Sequence, residues 1–581
     1  MVNELAEAGH LAQIPGFEEA TLDLIEAVLE EAGKLAGEVL VPLNRSGDEQ
    51  GSQLFNGEVQ APDGFADVYR QFIDNGWLGL AQNPDFGGQG LPFLLHMAVT
   101  EMWNSANMAF ALCPMLSAGA IEAIEAHATP ALQELYLPKL ISGEWTGTMN
   151  LTEPQAGSDL AALSCKALPK EDHYLISGQK IFITWGDHGM TDNILHLVLA
   201  RLPNAPPGVK GISLFLVPKF LLNQDGSLGA RNDLRPVSLE HKMGIHASPT
   251  CVMSFGDEGG AVGYLVGEPH CGLACMFTMM NHARLEVGLE GIGLSECAYQ
   301  KAVQYARERI QGVVPGQQGR SAIIHHGDVR RMLMLMRAQT QAMRAVAYVA
   351  AATYDRARKC SDVAEKSRLQ ARLDLLTPIV KAWSTELSQE VTSLGVQVHG
   401  GMGYIEETGA AQLFRDARIT TIYEGTTGIQ ANDLVGRKIL RDKGAALNAV
   451  FEEIASLACE LSISDDKALS AMGEKLNQAK LDGQKAINSI LANATDPLSG
   501  GCVAVNFLML AGTLFGGWQM ARAAQIAKRK LDKDDGDRSF NRNKIATAAF
   551  YMEQVLPRVK AYLEPVLAGA GTVLGIDPDL M

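Results

Sequence analysis

Between about Gly147 and Cys271 the sequence changes period, and that change constrains the fold more than any other feature. Before it, Leu22, Ile25, Val28, Leu29, Leu35 and Val39 recur at helical spacing, followed by helical patterning over about 63–75 and 92–142. After it, Leu273–Arg309, His326–Lys359 and Arg368–Leu394 read as long amphipathic helices. Within it lie short strand-like runs at His173–Ile176, Lys180–Thr184, Ile194–Ala200, Ile212–Val217 and Thr250–Phe255, separated by Gly, Pro, Asn and Asp. That is the pattern of a small antiparallel β-domain. A chain of 581 residues is too long for one core. The sequence therefore predicts a mainly α protein with a central β-domain: a helical domain over 1–146, the β-domain over 147–271, a second helical domain over 272–445 and a helical extension over 446–581. Pro42 is expected to end the first helix and Pro378 to bend a later one.

Charge narrows the partners. Lys plus Arg is 49 and Asp plus Glu is 66, a net charge of −17, which opposes a nucleic-acid backbone or an anionic membrane as the main partner. The nine cysteines are scattered, and Cys271 and Cys275 have no second pair or His cluster to complete a metal set. Reduced thiols, with no secretion signal at the N-terminus, point to a cytoplasmic protein that needs no metal. The charge-free run from Pro497 to Met520 is long enough to span a bilayer, yet it holds Asn506, Gln519 and several glycines, so it reads as a buried core helix.

One stretch carries chemistry: Phe414-Arg415-Asp416-Ala417-Arg418-Ile419-Thr420-Thr421-Ile422-Tyr423-Glu424-Gly425-Thr426-Thr427. Glu424 sits on an apolar approach, where desolvation raises a carboxylate towards working pH and makes it a candidate general base. Gly425 lacks a Cβ, so a ligand can approach the backbone there. By spacing alone, a solvated glutamate at a helix end explains the stretch as well. The pattern puts Glu424 on a helix running past Gln430 to about Leu440.

Four segments in order resemble the acyl-CoA dehydrogenase family over roughly 20–440. They are Leu151-Thr152-Glu153-Pro154-x-Ala156-Gly157-Ser158-Asp159, Gly178-Gln179-Lys180-x-x-Ile183-Thr184, Gln397-x-x-Gly400-Gly401-x-Gly403 and Ile422-Tyr423-Glu424-Gly425-Thr426. Lys242–Cys251, Met276–Asn281 and Asp328–Leu333, with the extra C-terminal domain, are similar to the bacterial branch acting on 3-methylthiopropanoyl-CoA (3-methylmercaptopropionyl-CoA). That branch also holds relatives acting on ordinary fatty acyl-CoAs.

The resemblance implies an antiparallel, barrel-like middle domain, a four-helix bundle after it, and FAD as cofactor. It implies α,β-dehydrogenation of an acyl-CoA to a trans-2-enoyl-CoA, with Glu424 as base and hydride transfer to flavin N5. Medium- or long-chain fatty acyl-CoAs remain the alternative substrates. The position of an earlier base in some relatives is Ala283 here, which cannot act; Glu153, Glu286 and Glu290 are rival carboxylates, the last two expected to be structural.

For FAD the family implies Met149, Leu151, Thr152, Gly157 and Ser158 in one loop, Phe182, Ile183 and Thr184 against the ring, and Arg309, Gln397, Gly400 and Gly401 at the pyrophosphate. Thr426 and Gly428 follow the base. Ile310-Gln311-Gly312-Val313-Val314-Pro315 replaces the family's usual Phe-Gly after Arg309, and Gly428 stands where relatives often have Gln. Ser158, Asn281, Arg284 and Gly425 are the implied substrate contacts. An electron-transferring flavoprotein is the implied acceptor and a homo-oligomer, dimer or tetramer, the implied assembly, with the extension at a subunit contact. An oxygen-using acyl-CoA oxidase and a flavin-containing DNA-binding protein are the competing classes, the second opposed by the net charge of −17.

Overall fold

The computed structural model describes residues 1–316, 318–496 and 498–581; Pro497, where the charge-free run begins, lies outside them. Two compact units are formed, one from Ala27–Glu286 and one from Met1–Glu26 with Val287–Met581.

The Ala27–Glu286 unit begins within helix α1 (Leu22–Lys34). Pro42 does not end the helical run, contrary to expectation. A π-turn over Leu35–Leu40 shifts the hydrogen-bond register, and Pro42 falls in the first turn of α2 (Val41–Gln50), where its missing N–H costs nothing. A small hairpin of β1 (Gln53–Phe55) and β2 (Glu58–Gln60), not evident in the sequence, precedes α3 (Phe65–Asp74). The core is built on α4 (Phe93–His127), with α5 (Pro130–Ile141) following. Phe72 packs edge-on against Trp103 and Phe110, at 4.8 and 5.8 Å between ring centroids.

The β-domain comprises β3 (Trp145–Asn150), β4 (Lys166–Pro169), β5 (Tyr174–Thr184), β6 (Asn193–Arg201), β7 (Ile212–Pro218), β8 (Phe220–Leu222), β9 (Leu228–Arg231), β10 (Leu234–Leu239), β11 (Thr250–Phe255) and β12 (Ala261–Val266). β4 pairs with both β5 and β6, so β5, β12, β7, β6 and β4 close a ring; β11 and β10 continue from β5, and β3 from β6. Most pairs are antiparallel, as expected, but β3 and β6 run parallel in the register Trp145↔Asn193 to Asn150↔Val198. The runs read as two strands, at 173–176 and 180–184, are one continuous β5 passing through Gly178 at φ +135°. β3 escaped the sequence reading because it is buried on both faces and shows no alternation. Its close approach to α4 requires glycine: a Cβ on Gly147 would lie 2.5 Å from Ala120 Cβ.

The second unit is helical. It holds the later part of α6 (Gly272–Glu308), then α7 (Gly327–Lys359), α8 (Val363–His399), α9 (Ala410–Ala417) and α10 (Thr427–Asp433). Pro378 lies inside the single helix α8. α6 meets α8 through small residues: a Cβ on Gly288 would lie 2.6 Å from Val380, and one on Gly291 3.1 Å from Ser384 O.

The extension adds α11 (Ala445–Ser462), α12 (Lys467–Ala492), α13 (Ser499–Asp532), α14 (Arg538–Phe550) and α15 (Arg558–Ala568). It docks on α8 through the fully buried Trp383, whose ring lies where side chains on Gly512 and Gly516 would be, 2.2 and 2.7 Å from their built Cβ positions. Tyr551 donates to Thr513 O at 2.9 Å, and Arg558 forks onto Glu390 at 2.6 and 2.8 Å. The first 26 residues join this unit, with Arg356 paired to Glu7 at 2.7 Å and Lys530 paired to Glu4. Phe93–His127 and Ser499–Asp532 are each long and apolar enough to cross a membrane by length and composition, and 94% and 67% of their most apolar windows are buried within the fold.

Candidate active site

Glu424 is not on a helix. The chain leaves a short 3-10 turn at Thr421, and α10 begins only at Thr427. Between them Glu424 takes a left-handed backbone at φ +54°, and Gly425 follows at φ +92°. A glutamate in that region is strained, a cost of order 1–3 kcal/mol that persists only where the surroundings impose it. The left-handed pair ends one helix and turns the chain into the next, which helical periodicity cannot register.

The surroundings are specific. Fully buried Lys381, on α8, donates from Nζ to Thr420 O and to Gly425 O, both at 2.8 Å. Gln430 Nε2 donates to Glu424 O at 3.1 Å. Thr426 caps α10 by accepting from Ile429 N at 3.3 Å, and Thr427 donates to Glu386 at 2.5 Å. Tyr423 donates its hydroxyl to Glu290, and burial followed by the Glu290 and Glu424 charges holds that phenol well above the ordinary tyrosine range. Glu290 thus bonds Tyr423. Gly428 stands beside Thr426, its built Cβ 3.8 Å from Oγ1.

Gln397, Gly400 and Gly401 lie at the far end of α8, 16 residues from Lys381 or about 24 Å along the helix. Tyr305 stacks on His399 at 4.5 Å, which brings the C-terminal end of α6, with exposed Arg309, to the same place. Side chains on Gly400 and Gly401 would meet nothing within 4 Å, so this end is open. Within this unit the structure therefore separates the residues expected at the base from those expected at the pyrophosphate.

In the Ala27–Glu286 unit the loop after β3 is anchored by Glu153, only 2% exposed. Lys180 Nζ lies 2.9 Å from both Glu153 Oε1 and Leu151 O. Ser164 donates to Glu153 from N and Oγ at 2.7 Å, and Cys165 N donates at 3.0 Å. Burial would raise the Glu153 carboxyl, yet the Lys180 ammonium and these donors hold it at about 2. This rival carboxylate is thereby committed to the loop. Met149 is buried at the end of β3, Leu151 and Thr152 are half-buried, and Gly157 and Ser158 are exposed.

Beside the loop, Ile181 N donates to Thr152 O at 2.9 Å. The β5–β11 register slips here, so that Ile181 and Phe182 oppose one residue, Val252. Phe182 sits on this bulge at φ +60° with 58% of its surface exposed. Ile183 is buried and offers a ligand only its backbone, while Thr148 Oγ1 donates to Thr184 O at 2.8 Å.

Arg284 is buried, donates to Asn281 Oδ1 at 3.2 Å and lies over the Phe277 ring at 5.6 Å. Next to it, His282 lies between two carboxylates, Nδ1 2.9 Å from Glu122 and Nε2 2.9 Å from Glu286, and His96 Nε2 is 2.7 Å from the same Glu286 oxygen. His96, His282 and Glu286 bring potential ligand atoms within 4.8 Å of one another, and Glu286 Oε1 is hydrogen-bonded to His96 and ion-paired with His282.

Burial opposes charge on His282, but Glu122 and Glu286 raise it to about 10, and the two imidazoles hold Glu286 at about 2 against its own burial. The signs fix a pH window. The raised His282 stabilises fully below its unfolded value near 6.5 and loses that contribution as pH rises through 10; the depressed Glu286 stabilises above about 4.5 and loses its contribution towards 2. Stability to urea is therefore expected to fall between about pH 6.5 and 10, and His282→Gln to flatten that fall. Equal slopes in the two proteins would refute the assignment.

Sequence reasoning missed Lys381, Gln430 and Lys180 as parts of these arrangements. Lys381 left a signal as a cation inside the apolar run Pro378-Ile379-Val380-Lys381-Ala382-Trp383, and Lys180 stood within the Gly178-Gln179-Lys180 motif; Gln430 left none.

Known proteins bear on both units. Three models of acyl-CoA dehydrogenase domains match in order: the N-terminal domain over 25–144, the middle domain over 148–257 and the C-terminal domain over 270–440. An acetyl-CoA dehydrogenase C-terminal-like model matches 450–577. The 3-methylmercaptopropionyl-CoA dehydrogenase of Ruegeria pomeroyi is 48% identical over 562 residues, 95% of each chain. A butyryl-CoA dehydrogenase of Syntrophomonas wolfei is 36% identical, over 93% of this chain and 90% of that one. The crystal structure of an acyl-CoA dehydrogenase complexed with FAD from Bacillus anthracis shares the fold with a TM-score of 0.77 at 20% identity, over 96% of this chain and 90% of that one. With its domains matched in sequence and its length covered by such relatives, the chain belongs to the acyl-CoA dehydrogenase family of oxidoreductases.

Proposed function

We propose that the protein is an FAD-dependent dehydrogenase of 3-methylthiopropanoyl-CoA that uses Glu424 as its general base. The observation carrying the reading is the held left-handed turn Tyr423-Glu424-Gly425-Thr426, in a chain 48% identical to a 3-methylmercaptopropionyl-CoA dehydrogenase. The residues present fit FAD. In the Ala27–Glu286 unit Phe182 offers an exposed ring on a bulge, Thr184 lies two residues further along the same strand, and Thr152 O is bonded to the adjoining Ile181 N; in the other unit Gly400 and Gly401 leave open space for a pyrophosphate near Arg309. FAD held by these residues supplies the two-electron acceptor of the dehydrogenation.

The chain's own groups handle the proton. Glu424 removes the α-proton of the thioester, and its strained backbone keeps the carboxylate aimed while Gln430 and Lys381 hold the peptide groups around it. The backbone N–H of Glu424 is the donor we assign to charge developing on the thioester oxygen. Asn281, Arg284, Ser158 and Gly425 are the substrate contacts in this reading. In this reading the protein is a homo-oligomer in which Arg309, Gln397, Gly400 and Gly401 serve the FAD of a neighbouring subunit, the extension contributing to the subunit contact. An electron-transferring flavoprotein is the acceptor we expect. All nine cysteines are free, which supports a cytoplasmic setting.

Anaerobic titration of the yellow protein with 3-methylthiopropanoyl-CoA, butyryl-CoA and palmitoyl-CoA tests the proposal. Preferential bleaching of the flavin absorbance by the first is expected. Preference for palmitoyl-CoA would reassign the enzyme to longer fatty acyl chains, and no bleaching by any would overturn the dehydrogenase reading.

A further inference from the structure

We propose that Lys381 is a positioning residue for the base, its ammonium locking the turn that presents Glu424. The inference rests on the reading of Glu424 as base and goes beyond it by naming what holds that base in place.

The left-handed pair Glu424 and Gly425 breaks the helical ladder, so the carbonyls of Thr420, Glu424 and Gly425 cannot all be satisfied by helix bonds. Side chains take their place. Gln430 bonds Glu424 O, and one Lys381 ammonium bridges Thr420 O and Gly425 O, the two ends of the turn, at 2.8 Å each. Those bonds set the separation of the turn's ends, and with it the φ values of the two residues between which the Glu424 side chain is aimed.

Lys381 is itself held. It is fully buried in α8, one turn before Glu386, which accepts from Thr427 just past the turn, and two turns before Gln389, whose Nε2 donates to Ala417 O at 2.7 Å just ahead of it. Gly288 and Gly291 let α6 close on this part of α8, bringing Glu290 to Tyr423. A buried ammonium is a costly means of binding two carbonyls, because desolvation costs several kcal/mol per ion. An apolar side chain would fill the same core position without that cost but would leave the two carbonyls unbonded and the turn free to relax.

The test reads proton removal by itself, in the full-length FAD-loaded enzyme. An acyl-CoA analogue with sulfur at the β-position has no β-hydrogen to lose, so exchange of its α-hydrogen with D2O, followed by mass spectrometry, reports only the base. In Lys381→Met we expect saturated exchange to fall about a hundredfold while the half-saturating concentration stays within about threefold, the mark of a misplaced base rather than a damaged binding surface. Lys381→Gln keeps a donor and should recover about tenfold of that loss. If Lys381→Met does not retain FAD, Lys381→Gln carries the test alone, an about tenfold fall in exchange supporting the proposal and a wild-type rate overturning it. Wild-type exchange in Lys381→Met, or equal losses of rate and affinity in both variants, would overturn it. The control separates the two readings: Glu424→Gln must abolish exchange, and if it does not, the base itself has been misassigned, whatever the Lys381 variants do.

Discussion

Replacing Glu424 with glutamine is expected to remove acyl-CoA-dependent bleaching of the flavin while leaving the fold and the bound FAD in place. The substitution keeps the side chain's size and two polar atoms but removes the basic oxygen. The backbone contacts that hold the turn, from Gln430 to Glu424 O and from Lys381 to Gly425 O, do not involve the carboxylate and should persist. The rival acids do not replace it. Glu290 accepts from Tyr423 on the buried side of the turn, Glu286 is hydrogen-bonded to His96 and ion-paired with His282, and Glu153 is bonded to Lys180. Loss of a positioned general base costs about 10²–10⁴ in rate, and with no substitute the upper end applies. Anaerobic stopped-flow absorbance with each acyl-CoA measures it; a variant that still bleached within about tenfold of the wild-type rate would show that another group takes the proton.

The second large effect is on stability. Lys180→Met is expected to destabilise the Ala27–Glu286 unit by about 3–5 kcal/mol, because it strands the buried Glu153 charge. Lys180 and Glu153 side chains are 0% and 1% exposed and 2.9 Å apart. With the ammonium gone, the carboxylate either remains as an uncompensated buried charge or takes a proton and weakens its bonds to Ser164 and Cys165. Lys180 also holds Leu151 O, so the loop carrying Thr152 and Ser158 loses its anchor, and FAD retention should fall with stability. Lys180→Met combined with Glu153→Gln removes the stranded charge and should recover a good part of the loss, which urea unfolding of the single and double variants resolves. A single variant as stable as wild type, or a double variant showing simple additivity, would rule out the coupling.

The sequence by itself determined the order of helical and strand segments, because the two periods follow from residue order alone. It also displayed Tyr423-Glu424-Gly425-Thr426 and the Leu151–Asp159 loop as motifs, since these are runs of adjacent residues. What it could not show was every feature whose cause lies far along the chain. Trp145–Asn150 became a strand without alternating, because burial on both faces erases the period. Pro42 did not stop its helix, because a π-turn put it where a proline fits. Glu424 left the helix expected for it, because backbone handedness is set at the turn and its cost is borne by tertiary contacts. Lys381 and Gly425 are 44 positions apart, and Lys180 and Glu153 are 27 apart. Only folding brings each buried cation to its oxygens, since the cost of burying an ammonium is offset by acceptors that the tertiary structure alone supplies.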